Sequence, residues 1–230
     1  MWGSLEKDRT LAIAQRRLAD IAPASSTSRN PAAIVPPMSI WGWLLLGAAT
    51  WVLAVALKIL ADFVVQSSTQ VALRDWAASL LSGLWSSICE LGLAALAFWI
   101  WNADFKDALV MAVGAALAEF LVLLIPAMTA KKAQTKTKQA AGWNAFYTER
   151  GVAFASHLAS RALMWLGIAG GGGLKAVFSA FALFAAAEAI QAYGQAKEWD
   201  WLNRRVLLAF LVFQGVCIAA QISLLILWWP

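Results

Sequence analysis

The chain has 230 residues, of which 61% are hydrophobic and 13% charged, with a mean hydropathy of +0.67 and a formal net charge of +5. A soluble domain holds roughly 45–50% apolar and about 25% charged residues, so this composition excludes a water-soluble globule and excludes disorder for most of the chain. The excess apolar surface needs lipid as its solvent, and the expected class is an all-α, polytopic transmembrane helix bundle.

Residues 1–38 form a separate polar arm. They lack the apolar core and small-residue cleavage site of a secretory signal peptide. Leu11, Ala14, Leu18 and Ile21 recur at helical spacing, with Arg9, Arg16, Arg17 and Asp20 elsewhere on the wheel. That pattern predicts a short amphipathic helix, suited to a membrane surface, a partner or a solvated tail. The stretch from Pro23 to Pro37 reads as a linker. The remaining residues, 39–230, form the membrane domain.

Six apolar segments follow: Ile40 to Val65, Trp76 to Trp101, Phe105 to Pro126, Gly151 to Ala169, Leu174 to Tyr193, and Val206 to Trp229. Each approaches the ~20 residues that a helix needs to cross a ~30 Å hydrocarbon layer. The run Gly170-Gly171-Gly172-Gly173 predicts a tight helical hairpin between the fourth and fifth. Trp41, Trp43, Trp76, Trp99, Trp101, Trp199, Trp201, Trp228 and Trp229 fall near segment ends, as an interfacial belt requires. No run of alternating ten-residue strands is present, which excludes a β-barrel. Lys131, Lys132, Lys136 and Lys138 share a side with Arg204 and Arg205. The positive-inside rule places that side in the cytoplasm, but this would export the equally basic N-terminal arm, so orientation stays open.

The ionisable residues inside the apolar segments are the candidates for function, because a charge at mid-membrane costs roughly 2.5–3.5 kcal/mol by insertion scales. Glu90, Glu119, His157, Arg161 and Glu188 all fall there. Lys58 and Asp62, four apart near the end of the first segment, read as an intrahelical ion pair. Arg161 and Glu188 read as a structural pair between neighbouring helices. Glu90, Glu119 and His157 read either as helix-joining groups or as one converging site, with a Glu as general base on a water. Gly114, Ala115, Ala116 and Ala118 make the third segment thin around Glu119, and Ala185, Ala186, Ala187 and Ala189 do so around Glu188. Small residues of this kind favour close helix packing and interior positions for both acids.

Cys89 and Cys217 sit in apolar runs and form neither a disulfide framework nor a zinc motif. One histidine with no second ligand pattern implies no cofactor and leaves any metal unassigned. Nucleic-acid binding has no motif behind it, and the basic residues suit anionic lipid headgroups. The expected partners are the lipid bilayer and other membrane proteins.

The stretch Glu149-Arg150-Gly151-Val152-Ala153-Phe154-Ala155-Ser156-His157 resembles the Glu-Arg…His stretch of the YhfC-type family of intramembrane glutamic proteases, distantly like the CPBP/Abi and PrsW groups. Leu109 to Leu121 resembles that family's Gly-His-Gly-Gly-x-Glu helix, with Gly114 and Glu119 in place and Ala115 where the His belongs. Gly83 to Leu93 is similar to its Glu-Glu-x-x-Arg helix, with Glu90 as the second Glu, Cys89 in place of the first and Leu93 in place of the Arg. The resemblance spans Trp41 to Gln195. It implies a site lined by Glu90, Glu119 and His157, and a bacterial cytoplasmic membrane as its location. The substituted positions remove about half of the polar set, and a half-satisfied network is a poor catalyst. The expectation is therefore a non-catalytic subunit of a membrane complex that keeps the protease fold. The alternatives are an active intramembrane peptidase using Glu90, Glu119 and His157, or a small transporter or channel. Against the last, no inverted repeat is visible.

Overall fold

The computed structural model describes residues 37–68, 75–130 and 136–230. The N-terminal arm with its expected amphipathic helix, and the side chain of Asp62, lie outside the described residues. The described chain is helical: α1 (Ile40–Ser68), α2 (Asp75–Trp101), α3 (Phe105–Ala130), α4 (Lys136–Ile168), α5 (Gly173–Ala196) and α6 (Arg204–Trp228). Among the described residues five helices, all but α4, are long and apolar enough to cross a membrane, over 22 to 27 residues each. At a rise of roughly 1.5 Å per residue they are about 33–40 Å long, enough for the hydrocarbon layer. The chain is an integral membrane protein built as a helical bundle.

The fourth helix departs from the expected apolar span. It begins at Lys136 rather than Gly151, runs for 33 residues, and is not among the five. Lys136 and Lys138, expected in a loop, are on helical backbone. Polar though it is, α4 packs against α2, α3, α5 and α6. Arg161, Leu163, Met164 and Leu166 are fully buried. Neighbouring protein, rather than lipid, covers Arg150 and Arg161, which is how a membrane bundle tolerates such charges.

Local chemistry explains the helix ends. Asn102, at φ 48°, turns the chain out of α2, and Ala103 N donates to Phe98 O at 3.1 Å. Asp104 and Asp107 then accept from each other's backbone N–H, at 2.8 and 3.1 Å, satisfying donors at the start of α3. In the α4–α5 hairpin Gly171 and Gly173 adopt φ of 83° and 64°, a region that favours glycine. There Gly172 N closes on Leu166 O at 2.8 Å. Asn203 caps α6 by accepting from Arg205 N at 3.0 Å.

The core lies at the end of the bundle where α2, α4 and α6 finish. Trp43, Leu91, Phe98, Met111, Leu163, Met164, Leu166 and Phe184 fill it, interleaved with alanines. Trp43 corrects the interfacial reading: it is 1% exposed and packs 6.5 Å from the rings of both Phe98 and Trp101. Trp41 and Trp99, by contrast, stand outward at 71% and 74% exposure. The α2–α5 contact is close because Gly83 lies against Ala185, where a Cβ would meet the carbonyl oxygen at 2.4 Å. The thin stretch of α3 serves α1 rather than Glu119, since Gly114 faces the Leu44 backbone.

Candidate functional site

Arg150, His157 and Arg161 are seven and four residues apart on α4, which puts them on one face of the helix. That face meets Glu119 from α3 and Glu90 from α2. Further along lie Ser86 on α2, Glu188 on α5 and Lys58 on α1. All eight, with Glu149, form one continuous polar network through the bundle.

At its centre His157 Nε2 lies 2.6 Å from Glu119 Oε2. Arg161 Nη1 lies 2.5 Å from His157 Nδ1. A guanidinium has donors only, so Nδ1 must accept and Nε2 must carry the proton that His157 donates to Glu119. Arg150 holds the other Glu119 oxygen, Nη1 to Oε1 at 2.5 Å, while its Nη2 reaches Glu149 Oε1 at 2.5 Å. One guanidinium thus bridges two carboxylates, a use that its planar fork suits and a lysine would not.

The second half of the network is looser. Glu90 Oε2 stands 3.6 Å from Arg161 Nη2 and 3.8 Å from His157 Nδ1. Both Glu90 Oε2 and Arg161 Nη2 are buried without a hydrogen-bond partner. Ser86 Oγ donates to Glu188 Oε2 at 2.9 Å and lies 3.4 Å from Glu90 Oε1. Lys58 Nζ donates to Ser86 Oγ at 3.4 Å and pairs with Glu188 at 3.5 Å.

These contacts rearrange the expected pairs. Arg161 faces Glu90 and His157, and no Arg161–Glu188 pair is present among the described residues. Glu188 instead turns from α5 toward α1 and α2 and takes Lys58. Of the expected Lys58–Asp62 pair, the aspartate side chain lies outside the described residues. Glu90, Glu119 and His157 do come together.

A small cavity of about 20 Å³ opens beside Glu119, His157, Ser156 and Gln214. That is room for about one water. Glu90 does not line it. A larger cavity of about 380 Å³ is lined by Glu149, Arg150, Gln191 and Trp201. A groove of about 310 Å³ between α3 and α4 carries Glu119 and Arg150 among apolar walls that include Leu117, Phe120 and Phe154. The Glu149–Arg150–Glu119 bridge stands where the three meet. Among the described residues no group of three His, Cys, Asp or Glu side chains could hold a metal ion.

Sequence reasoning missed Ser86 and Gln214 and took Glu149 and Arg150 only as motif text. The signals were present: Ser86 is one turn before Glu90, and Arg150 is two turns before His157. Gln214 is a polar residue in an apolar span, and its Nε2 donates to Ala187 O at 3.0 Å, tying α6 to α5. Comparison with known proteins finds no matching family model, no matching curated protein and no matching solved structure.

Proposed function

We propose that this protein is a membrane-embedded peptidase of the glutamic type, with Glu119 as general base and His157 and Arg150 as the groups that hold it. The observation carrying this is the 2.6 Å Glu119–His157 contact beside a cavity sized for one water. Glu119 takes a proton from that water, the hydroxide adds to a peptide carbonyl, and Glu119 returns the proton to the leaving amine. Positioned carboxylates of this kind contribute roughly 10²–10⁴-fold to such a step. The likeness to the YhfC-type family favours the same chemistry. The objection from its missing residues weakens because a guanidinium does approach Glu90, supplied from α4 by Arg161 rather than from position 93 of α2.

The test is cleavage of a membrane-spanning peptide by the full chain in lipid bilayers. Glu119→Gln and His157→Ala should each abolish it while the helical fold persists. Cleavage that survives both changes rejects the reading.

A second reading is a non-catalytic subunit of a bacterial cytoplasmic-membrane complex. It is favoured by one observation: both His157 nitrogens and both Glu119 oxygens are already bonded to protein groups. Purification in mild detergent separates the two, since a subunit brings a stoichiometric membrane partner with it.

A further inference from the structure

Glu119 lies seven residues before Pro126, where the apolar span of α3 ends. At roughly 1.5 Å per residue it is about 10 Å inside the bundle. Hydrocarbon holds no water, so a water at Glu119 needs a route through protein. The two cavities on the α4–α5–α6 side have the geometry of one. The outer cavity of about 380 Å³ lies against Trp201 and Leu202, level with the α5–α6 loop. That loop carries the exposed Lys197, Glu198 and Asp200, which need water, so this end of the bundle is wet. The outer cavity has room for about ten waters at roughly 30 Å³ each.

Three helices that pack on one another each line both cavities with a single stripe. On α4, Gly142, Ala145 and Glu149 line the outer cavity, and Glu149, Val152 and Ser156 the inner one. On α5, Gln195 and Gln191 are followed by Glu188 and Phe184. On α6, Leu207 leads to Phe210 and Gln214. Steps of three and four residues keep each set on one helix face, so the cavities succeed each other along one seam. From Gln195 to Phe184 the seam runs eleven residues of α5, about 16 Å at roughly 1.5 Å per residue. Glu149 and Gln191 line both cavities and form the neck between them. The same faces then close: one or two turns deeper, Ser160 and Leu163 of α4, Ala180 of α5 and Gln221 of α6 are fully buried.

We infer that this seam is a blind water passage, entered at the α5–α6 loop end of the bundle and narrowed at Glu149 and Gln191, that delivers water to the Glu119–His157 pair. The neck has the chemistry for it. Glu149 brings carboxylate acceptors, and the Gln191 amide both donates and accepts, as a file of waters requires. The passage is separate from the α3–α4 groove, which also reaches Glu119 but is lined by neither Glu149 nor Gln191, nor by any residue of α5 or α6. Glu119 is thus approached from two sides, one polar and one walled by Leu117, Phe120 and Phe154. Water and an apolar chain need not share an entrance. The closed inner end fits delivery to a site rather than transport across the membrane. Use of this water in hydrolysis rests on the peptidase reading; its presence does not.

The experiment is radiolytic hydroxyl-radical footprinting of the full chain in lipid bilayers, read by mass spectrometry. Radicals made from water in place oxidise the side chains that the water touches, buried or not. Phe184 and Phe210, only 2% and 4% exposed, should be oxidised because they line the inner cavity. Phe98 and the more reactive Met164, both fully buried outside the seam, should not be. Gln191→Leu, which makes the neck apolar, should abolish oxidation of Phe184 and Phe210 and leave that of Trp201 at the mouth. Ala145→Leu, which narrows the outer cavity, takes its place if Gln191→Leu does not fold. Phe184 and Phe210 as unreactive as Met164 in the wild-type chain, or oxidised as before in the folded plugged variant, would overturn the passage. Oxidised Phe184 in a chain that cleaves no peptide removes the peptidase and keeps the passage; cleavage with Phe184 untouched does the reverse.

Discussion

Gly47 of α1 and Gly114 of α3 each abut the backbone of the opposite helix. A Cβ at 47 would stand 2.0 Å from Met111 O, and one at 114 would stand 2.0 Å from Leu44 O. The contacts are reciprocal, so the two helices cross at a point where neither has room for a methyl group. Small residues at such crossings let backbones approach and packing replace the hydrophobic drive that lipid removes.

Gly114→Ala should therefore force α1 from α3. Overpacking typically costs about 1–3 kcal/mol, and here the obstacle is backbone, which cannot swing aside. Gly92→Ala is the control, since a Cβ at Gly92 meets nothing within 4 Å. It should hold or raise stability by about 0.5–1 kcal/mol through helix propensity. Thermal unfolding of the two variants in one detergent decides this, and equal midpoints would refute the crossing as a stability determinant.

Arg150→Met should strip Glu119 and Glu149 of their shared guanidinium. Removing one member of a buried ion pair costs about 3–5 kcal/mol because the partner charge stays behind. Arg150 is 7% exposed, so little water reaches the site to compensate. Arg150→Lys should recover part of the stability, since an ammonium keeps the charge but cannot fork to two carboxylates. Unfolding midpoints of the three proteins, ordered arginine, lysine, methionine, are the check.

The Glu119–His157 contact should appear as coupling in a double-mutant cycle. Residues in one hydrogen-bonded network interact by about 0.5–3 kcal/mol. Glu119→Gln, His157→Gln and the double variant, compared by unfolding, should give a value in that range. Simple additivity would mean that the 2.6 Å contact carries no interaction energy.

Lys197 hydrogen-bonds Asp75 at an exposed edge of the bundle, and that bond, with the carboxylate's charge, raises the lysine pKa above its ordinary value. A group whose folded pKa is raised adds stability that is complete below the unfolded pKa, about 10.4 for lysine. That stability fades as pH climbs through the folded value. The difference in stability between wild type and Asp75→Asn should thus be small at neutral pH, shrink further with added salt, and vanish in strong alkali. A difference that grows with pH contradicts the pairing.

Much of the fold could be read from the chain alone. The apolar runs predicted all of α1, α2, α3, α5 and α6 to within a few residues, because a helix in lipid must satisfy its own backbone and be apolar over a set length. The α4–α5 hairpin was visible in its glycines. The start of α4 was not. Its first turns carry Lys136 and Lys138, and hydropathy assigns such residues to a loop. Trp43 was misplaced for a related reason, since sequence position near a span end cannot tell a ring facing headgroups from one facing Phe98.

For the site, composition and spacing singled out Glu90, Glu119 and His157, because ionisable groups in an apolar run are costly and few. They could not say which cation serves which acid. Arg161 was assigned to Glu188 on the next helix, yet it meets Glu90 and His157, and Glu188 takes Lys58 from α1. Those pairings depend on how each helix is rotated about its axis. Rotation is set by packing at Gly47, Gly83 and Gly114, where backbones touch, and no one-dimensional pattern records it. The amino-acid sequence by itself determined that the chain lives in lipid and which residues lipid would not accept. Only the tertiary structure decided that those residues meet, because meeting is a property of helices in register with one another and not of any helix alone.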